Sequence, residues 1–371
     1  MHLEPTPQQL RFREAARDFA TTVLAPNAAR FEREERVPDE IFVELGRRGL
    51  MAVAVPKALG GSGAGTVAYS LAMTEIARGC GSTAVTMAVT NMVGEVIAAF
   101  GDDAQKQLWC PRLAAGELGG FALSEAEAGS DPGGMRTTAT LDGDEWVITG
   151  SKQWISHGDL SSVLVVWART DGPGARGLSC FLVPKGTPGL GVAKHEDKMG
   201  LRASHTVALS LDGVRVPESA LLGPRGAGFR IAMMALDGGR VGIASQALGI
   251  ATAAYESAVA HLRARKDAGD QALQFRLADM ATRLEAGRGL ALRAASAKER
   301  GDVHSREASI AKAFCTESAW GICNAAVEVI GDDALLEGHV AERCVRDVRV
   351  TMIYEGTSEV QRVVISRLEL R

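Results

Sequence analysis

The hydrophobic period of this chain changes twice, and that double change limits its architecture more than any other feature. Up to about residue 115, apolar side chains recur at helical spacing. The segment 8–24 carries Leu10, Phe12, Ala15, Phe19 and Val23, and Pro26 is expected to end that helix. The segment 39–50 repeats the pattern with Ile41, Phe42, Leu45 and Leu50, and small apolar residues predict two more helices over 68–78 and 82–100. From about 116 the period falls to two. Short runs over 146–149, 163–168, 178–183, 207–211 and 214–216 read as strands bounded by Gly, Asp or Pro. No long helices separate them, so an antiparallel β domain is expected and not a Rossmann unit. From Phe229 the helical period returns, over 229–266, 271–299 and 305–330, with a last helix after Thr357. These helices are too apolar to stand alone and predict a bundle that also forms a subunit interface. The expected fold is therefore α+β. An N-terminal α-helical domain (1–115) precedes a middle antiparallel β domain (116–225) and a C-terminal four-helix bundle (226–371).

Composition narrows the function classes. A chain of 371 residues exceeds what one core normally holds. The net charge is −4, with both signs interspersed, which argues against a nucleic-acid binder. Six scattered cysteines without CxxC spacing read as buried thiols in a reducing compartment. His157, His195, His205 and His304 show no metal-ligand spacing, so no metal is expected. The N-terminus shows no basic segment followed by an apolar run, and no apolar run is expected to span a membrane. A cytoplasmic enzyme is expected. The Gly-rich segment 59–65 has neither a preceding strand nor a following Gly-Lys-Ser/Thr, so it reads as an inter-helix loop.

One turn carries chemistry. Ile353-Tyr354-Glu355-Gly356-Thr357-Ser358-Glu359 sets a carboxylate between apolar and aromatic residues on one side and glycine and hydroxyls on the other. Partial desolvation would raise its pKa and make it a stronger base. Gly356 would let a flat ligand approach the backbone, and Thr357 and Ser358 could donate to it. A single Glu at a turn is more often a solvated surface group, so the weight rests on the motifs that precede it.

The α, β, α order and those motifs resemble the acyl-CoA dehydrogenase family over essentially the whole chain. Phe121-Ala122-Leu123-Ser124-Glu125-Ala126-Glu127-Ala128-Gly129-Ser130-Asp131 is similar to its first flavin motif. Trp154-Ile155-Ser156 is similar to the second, with Ser156 where Thr is usual, and 198–204 resembles a turn of the family's β domain. Leu236-Asp237-Gly238-Gly239-Arg240 and 244–249 resemble the short-chain, butyryl-type branch, and 354–359 matches the base-bearing loop. The resemblance implies Glu355 as catalytic base. For the cofactor, FAD, it implies Phe121, Leu123, Ser124, Gly129, Ser130, Trp154, Ile155, Ser156, Arg265, Thr357 and Glu359. For the substrate it implies Ser130, Asp237, Arg240, Gly356 and Arg367. The residues alone leave other readings open. The 123–131 segment could be an ordinary Ser-Asp turn, Trp154 a core residue, and Ser156 a strand-end cap. Asp237 and Arg240, three apart on a helix, could be a surface ion pair. Gly238 and Gly239 cost about 1 kcal/mol each against Ala within a helix, which makes sense if something must approach the backbone closely. Gly239 stands where isovaleryl-type relatives carry their base, leaving Glu355 as the candidate.

The implied reaction is α,β-dehydrogenation of an acyl thioester. Glu355 would take the α-proton and flavin N5 the β-hydride. An electron-transfer flavoprotein is the implied acceptor, and a homotetramer or homodimer the implied assembly. Three departures from the family pattern cluster in the final third. Arg265-Lys266-Asp267-Ala268-Gly269 keeps the arginine but replaces an aromatic with Ala268. The segment before Gln274 is shorter, and Glu328-Val329-Ile330-Gly331-Asp332-Asp333-Ala334 sets carboxylates where relatives hold the AMP half of a neighbour's flavin. These departures keep other readings in view: weaker FAD binding, one subunit of a hetero-oligomer, an acyl-carrier-protein thioester as substrate, or a flavin-free structural subunit.

Overall fold

The computed structural model describes residues 4–265 and 269–371. Helix α1 (Pro7–Phe19) starts from a capping box between Thr6 and Gln9. Pro26 does not end this segment. The chain passes through a π-helical turn, Ala20–Leu24, into α2 (Ala25–Arg33), and Pro26 falls in the first turn of α2, where a missing N–H costs little. Helices α3 (Asp39–Arg47), α4 (Gly65–Gly79) and α5 (Gly81–Phe100) lie where the period placed them, with 60–64 a loop. Helix α6 (Asp103–Ala114) was not legible. It is capped by Asp102 and Gln105 but interrupted by Pro111, and its apolar residues keep no clean face. Contrary to the sequence expectation, α5 is long and apolar enough, by length and composition, to cross a membrane. It is a core helix, with Thr83, Met87, Val93 and Ile97 fully enclosed.

The middle region is a seven-stranded sheet. Its strands are β1 (Gly119–Ala122), β2 (Thr138–Asp142), β3 (Glu145–Ser156), β4 (Val163–Arg169), β5 (Leu178–Pro184), β6 (Leu190–His195) and β7 (Thr206–Pro217). The order is β1-β4-β2-β3-β7-β6, with β5 also on β4. The expectation of a wholly antiparallel sheet needs correction, because β1 and β2 both run parallel to β4. Long connections between these strands permit the crossover, which a two-residue hairpin could not. Strand β4 reads as a continuous apolar run because Val163 through Ala168 are all buried.

The chain then forms α7 (Gly228–Ala264), α8 (Gln271–Glu299), α9 (Ser305–Ile330), α10 (Val340–Arg349) and α11 (Ser358–Glu369). The two helical regions, far apart in sequence, share one core. Tyr69, Ala72 and Met73 of α4 pack with Val241, Ala244 and Leu248 of α7 and with Cys315 and Ala319 of α9. A second core joins sheet to helices through Val93, Ile97, Trp167 and Ile231. The turn 198–204 latches onto α10, where Leu201 N donates to Asp347 Oδ1 at 2.6 Å and Arg346 reaches Met199 O at 3.2 Å. Burial pushes the Asp347 carboxyl up to about 6.

Candidate active site

A cleft of about 790 Å³ opens where β1, β3, α7 and the 353–357 turn converge. Glu355 lines it from a strained backbone: its φ is +55° and that of Gly356 is +90°. A non-glycine residue in this region costs of order 1–3 kcal/mol and persists only when its surroundings hold it. Here several groups hold it. Lys312 Nζ donates to Gly356 O at 2.6 Å, and Gln361 Nε2 donates to Gly356 O at 2.9 Å and Glu355 O at 3.3 Å. The Tyr354 hydroxyl donates to Gln246 Oε1. Thr357 caps α11 by accepting from Val360 N at 3.3 Å.

Although Glu355 as a residue faces the cleft, its Oε2 is enclosed and has no hydrogen-bond partner among the described residues. That oxygen lies against Gly239, where any side chain would overlap it. Burial pushes the carboxyl up to about 7, against the pull of Arg240 and Lys312. Burial likewise pushes Lys312 down to about 8, although Glu355 holds its charge. The result is a carboxyl able to take a proton near neutrality from a weak carbon acid.

Arg240 also lines the cleft, is buried, and pairs with Asp237, which in turn accepts from Ser305. This is an enclosed pair and not the surface pair that spacing alone allowed. Asp237 itself does not line the cleft. The two glycines between them do make room for close approach, but what approaches is protein. The Glu355 carboxylate packs on Gly239, and Lys298 Nζ lies 2.6 Å from where a Gly238 Cβ would stand.

Across the cleft, the β3–β7 register shifts between Lys152 and Ile155. The irregularity turns Trp154 to φ +64° and leaves it 57 % exposed on the cleft wall. Ser156 lines the same wall, whereas the Ile155 side chain points into the sheet core beside Ile148 and Val207. Phe121, Leu123, Ser124, Gly129 and Ser130 form the adjoining rim, and Thr357, Glu359, Gly356 and Arg367 line the α11 side. Arg265 sits exposed at the end of α7, away from the cleft. Ala268 lies outside the described residues.

Sequence reasoning missed the clamp beneath the 123–137 loop. Lys152, fully buried, donates to Glu125 Oε1 at 2.7 Å and Leu123 O at 3.2 Å. Glu125 also accepts from Arg136 N at 2.6 Å and Thr137 N at 3.1 Å. Burial alone would raise the Glu125 carboxyl, but Lys152 and these hydrogen bonds hold it below the usual range, while burial pushes Lys152 down to about 8. Inward position in a strand was the available signal: a lysine at a core-facing site needs a partner. The structure also brings His195, His205 and Asp159 together, with ligand atoms within 4.8 Å, a grouping invisible in sequence because they come from the end of β6, the approach to β7 and the segment after β3.

The departing segment lies elsewhere. Glu328 pairs with Arg276 on the exposed face of α8 and α9, and Asp332 opens a short 3₁₀ turn, Asp332–Leu335.

Family models match most of the chain in three parts: "Acyl-CoA dehydrogenase, N-terminal domain" over residues 6–117, "middle domain" over 120–214 and "C-terminal domain" over 226–369. The mitochondrial short-chain specific acyl-CoA dehydrogenase of Bos taurus is 46% identical over 375 residues, covering 99% of this chain and 90% of that one. Among solved structures, butyryl-CoA dehydrogenase from Megasphaera elsdenii superposes with a TM-score of 0.97 at 37% identity, covering 100% of both chains. A structure described as the electron transferring flavoprotein of Acidaminococcus fermentans gives 0.98 at 37%, covering 100% of both chains. A glutaryl-CoA dehydrogenase from Mycobacterium smegmatis in complex with FADH2 gives 0.93 at 32%, covering 98% of this chain and 95% of that one.

Proposed function

The chain belongs to the acyl-CoA dehydrogenase family, and we propose that it oxidises short-chain acyl-CoA thioesters with Glu355 as the base. It is an FAD-dependent oxidoreductase acting on CH–CH groups. One observation carries the assignment of the base: an enclosed carboxyl, raised to about 7, on a clamped turn facing the cleft.

The cleft suits the cofactor. An exposed indole on one wall, a rim of small residues including Gly129 with open space around it, and the hydroxyls of Ser156 and Thr357 match a flat ring joined to a phosphate arm. Phe121, Leu123, Ser124, Gly129, Ser130, Trp154, Ser156 and Thr357 would hold it. When bound, FAD accepts the hydride that leaves the β-carbon. The protein's part is to remove the α-proton and to exclude water. Glu355 takes that proton on an oxygen that no neighbour competes for. Arg240 and Lys312 stabilise the carboxylate before transfer, so the base is ionised often enough to act. The dry surroundings keep its basicity high.

We assign Arg367 and Gly356, which line the cleft, to the thioester end of the substrate. The kinship with a butyryl-CoA dehydrogenase supports a short acyl group, and an electron-transfer flavoprotein is the proposed acceptor. We further propose a homo-oligomer built on α8, α9 and the turn after α9, where Phe275, Leu335 and Leu336 stand exposed. A reducing cytoplasm is the proposed compartment, supported by six buried cysteines, none in a disulfide. The test is anaerobic mixing of the purified yellow protein with butyryl-CoA. Bleaching of the flavin band is expected. A flavin-loaded protein that no acyl-CoA bleaches would sink the assignment.

A further inference from the structure

We propose that the Glu95–Lys298 ion pair forms the floor of the acyl pocket and limits the substrate to short chains. The inference rests on the reading of Glu355 as base, because that residue fixes where the α-carbon must lie.

Beside the cleft lies a small cavity of about 10 Å³, and Met92 lines both spaces. That is the room one water molecule needs. The two consecutive glycines of α7 line it. Glu355 Oε2 rests on Gly239 and Lys298 Nζ rests on Gly238, one residue further from the turn. Lys298, on α8, pairs with Glu95, on α5, and both side chains are mostly enclosed. Tyr69 completes the wall, with its hydroxyl 2.5 Å from where a Gly242 Cβ would stand. Burial and the nearby charges of Glu95 and Glu355 keep that phenol protonated.

An acyl chain whose α-carbon faces Glu355 sends its tail into this cavity. The first carbons past the reacting pair fill it. A methyl terminus can rest beside the ion pair and leave it intact. A longer tail must displace one charge from the other or press apolar surface against both, and either is unfavourable in an enclosed site. The pair therefore excludes by desolvation as well as by volume. Gly238 is part of the device, since a side chain there would deny Lys298 its seat.

The experiment compares kcat/KM of the flavin-loaded enzyme for butyryl-, hexanoyl- and octanoyl-CoA. The parent is expected to lose about a hundredfold or more between butyryl and octanoyl. In Glu95→Ala/Lys298→Ala both charges go together, so none is stranded, and the hexanoyl-to-butyryl ratio should rise at least about tenfold. Gly238→Ala should shift that ratio the opposite way by crowding Lys298 toward the tail. A flavin-loaded variant of either kind that keeps the parent ratio overturns the proposal. So does a parent that takes octanoyl as readily as butyryl, or one that prefers γ-hydroxybutyryl to butyryl, which would make the pair a recognition site. A parent that oxidises butyryl-CoA with a flat length profile sinks the floor alone. A parent inert to every acyl-CoA sinks the base assignment beneath it.

Discussion

The cleft around Glu355 and the outer face around Glu328 place their charges in opposite surroundings. In the cleft, Glu355, Lys312 and Arg240 are largely enclosed, and the Glu355 carboxylate feels both cations. On the outer face, Glu328 and Arg276 are both more than half exposed. Burial rewrites the proton affinity of Glu355 and Lys312, whereas an exposed charge is screened by water. The carboxylate at Glu328 was expected to repel a neighbour's cofactor. Its pairing with Arg276 sets an opposite charge beside it, so the segment does not present a bare carboxylate.

Changes in the cleft should be severe and those outside mild. Glu355→Gln should lower substrate reduction by at least about a thousandfold while flavin stays bound, as read by stopped-flow bleaching. Lys152→Met strands the Glu125 carboxylate and should cost about 3–5 kcal/mol. Thermal melts and flavin content of the purified protein report it, and an unchanged melt would show that the clamp is dispensable. Gly239→Ala should cut turnover about tenfold to a hundredfold by displacing the base.

The pH dependence follows from the same carboxyl. Below about pH 7, kcat/KM should fall roughly tenfold per unit as Glu355 protonates, and it should level off above. The sign for stability is the reverse. A pKa raised above its unfolded value favours the fold at low pH, and that advantage is lost as pH rises through 7. Glu355→Gln should therefore be the more stable protein above pH 7, by up to about 3 kcal/mol, and should match the parent below 4.5. Smallest of all, Glu328→Gln should change flavin affinity by less than about fivefold. A larger gain in retention, measured by ultrafiltration, would show that the exposed carboxylate does repel cofactor.

The long helices were legible because their periodicity is sustained. The segments 271–299 and 305–330 match α8 and α9 to the residue. Helix α6 was missed because Pro111 and a mixed face blur its signal. Strands β1, β2 and β6 were missed because four to six residues offer too little pattern. The motif residues of the site were legible as a constellation, since Glu355, Trp154, Ser156 and Arg240 do meet in one cleft. What spacing could not reveal was which neighbours hold them. The partners Lys312–Gly356, Lys152–Glu125 and Glu95–Lys298 join elements up to 203 residues apart in sequence. Only folding decides such meetings.

The joint packing of α4 against α7 and α9 has a consequence for synthesis. The sheet is spliced between two pieces of a single helical body, so the first piece leaves the ribosome with its apolar flank uncovered. At about 5–20 residues per second, it waits roughly ten to fifty seconds for its complement. We expect nascent chains stalled before Gly228 to be cleaved readily by protease at α4, and chains released past Ile330 to resist.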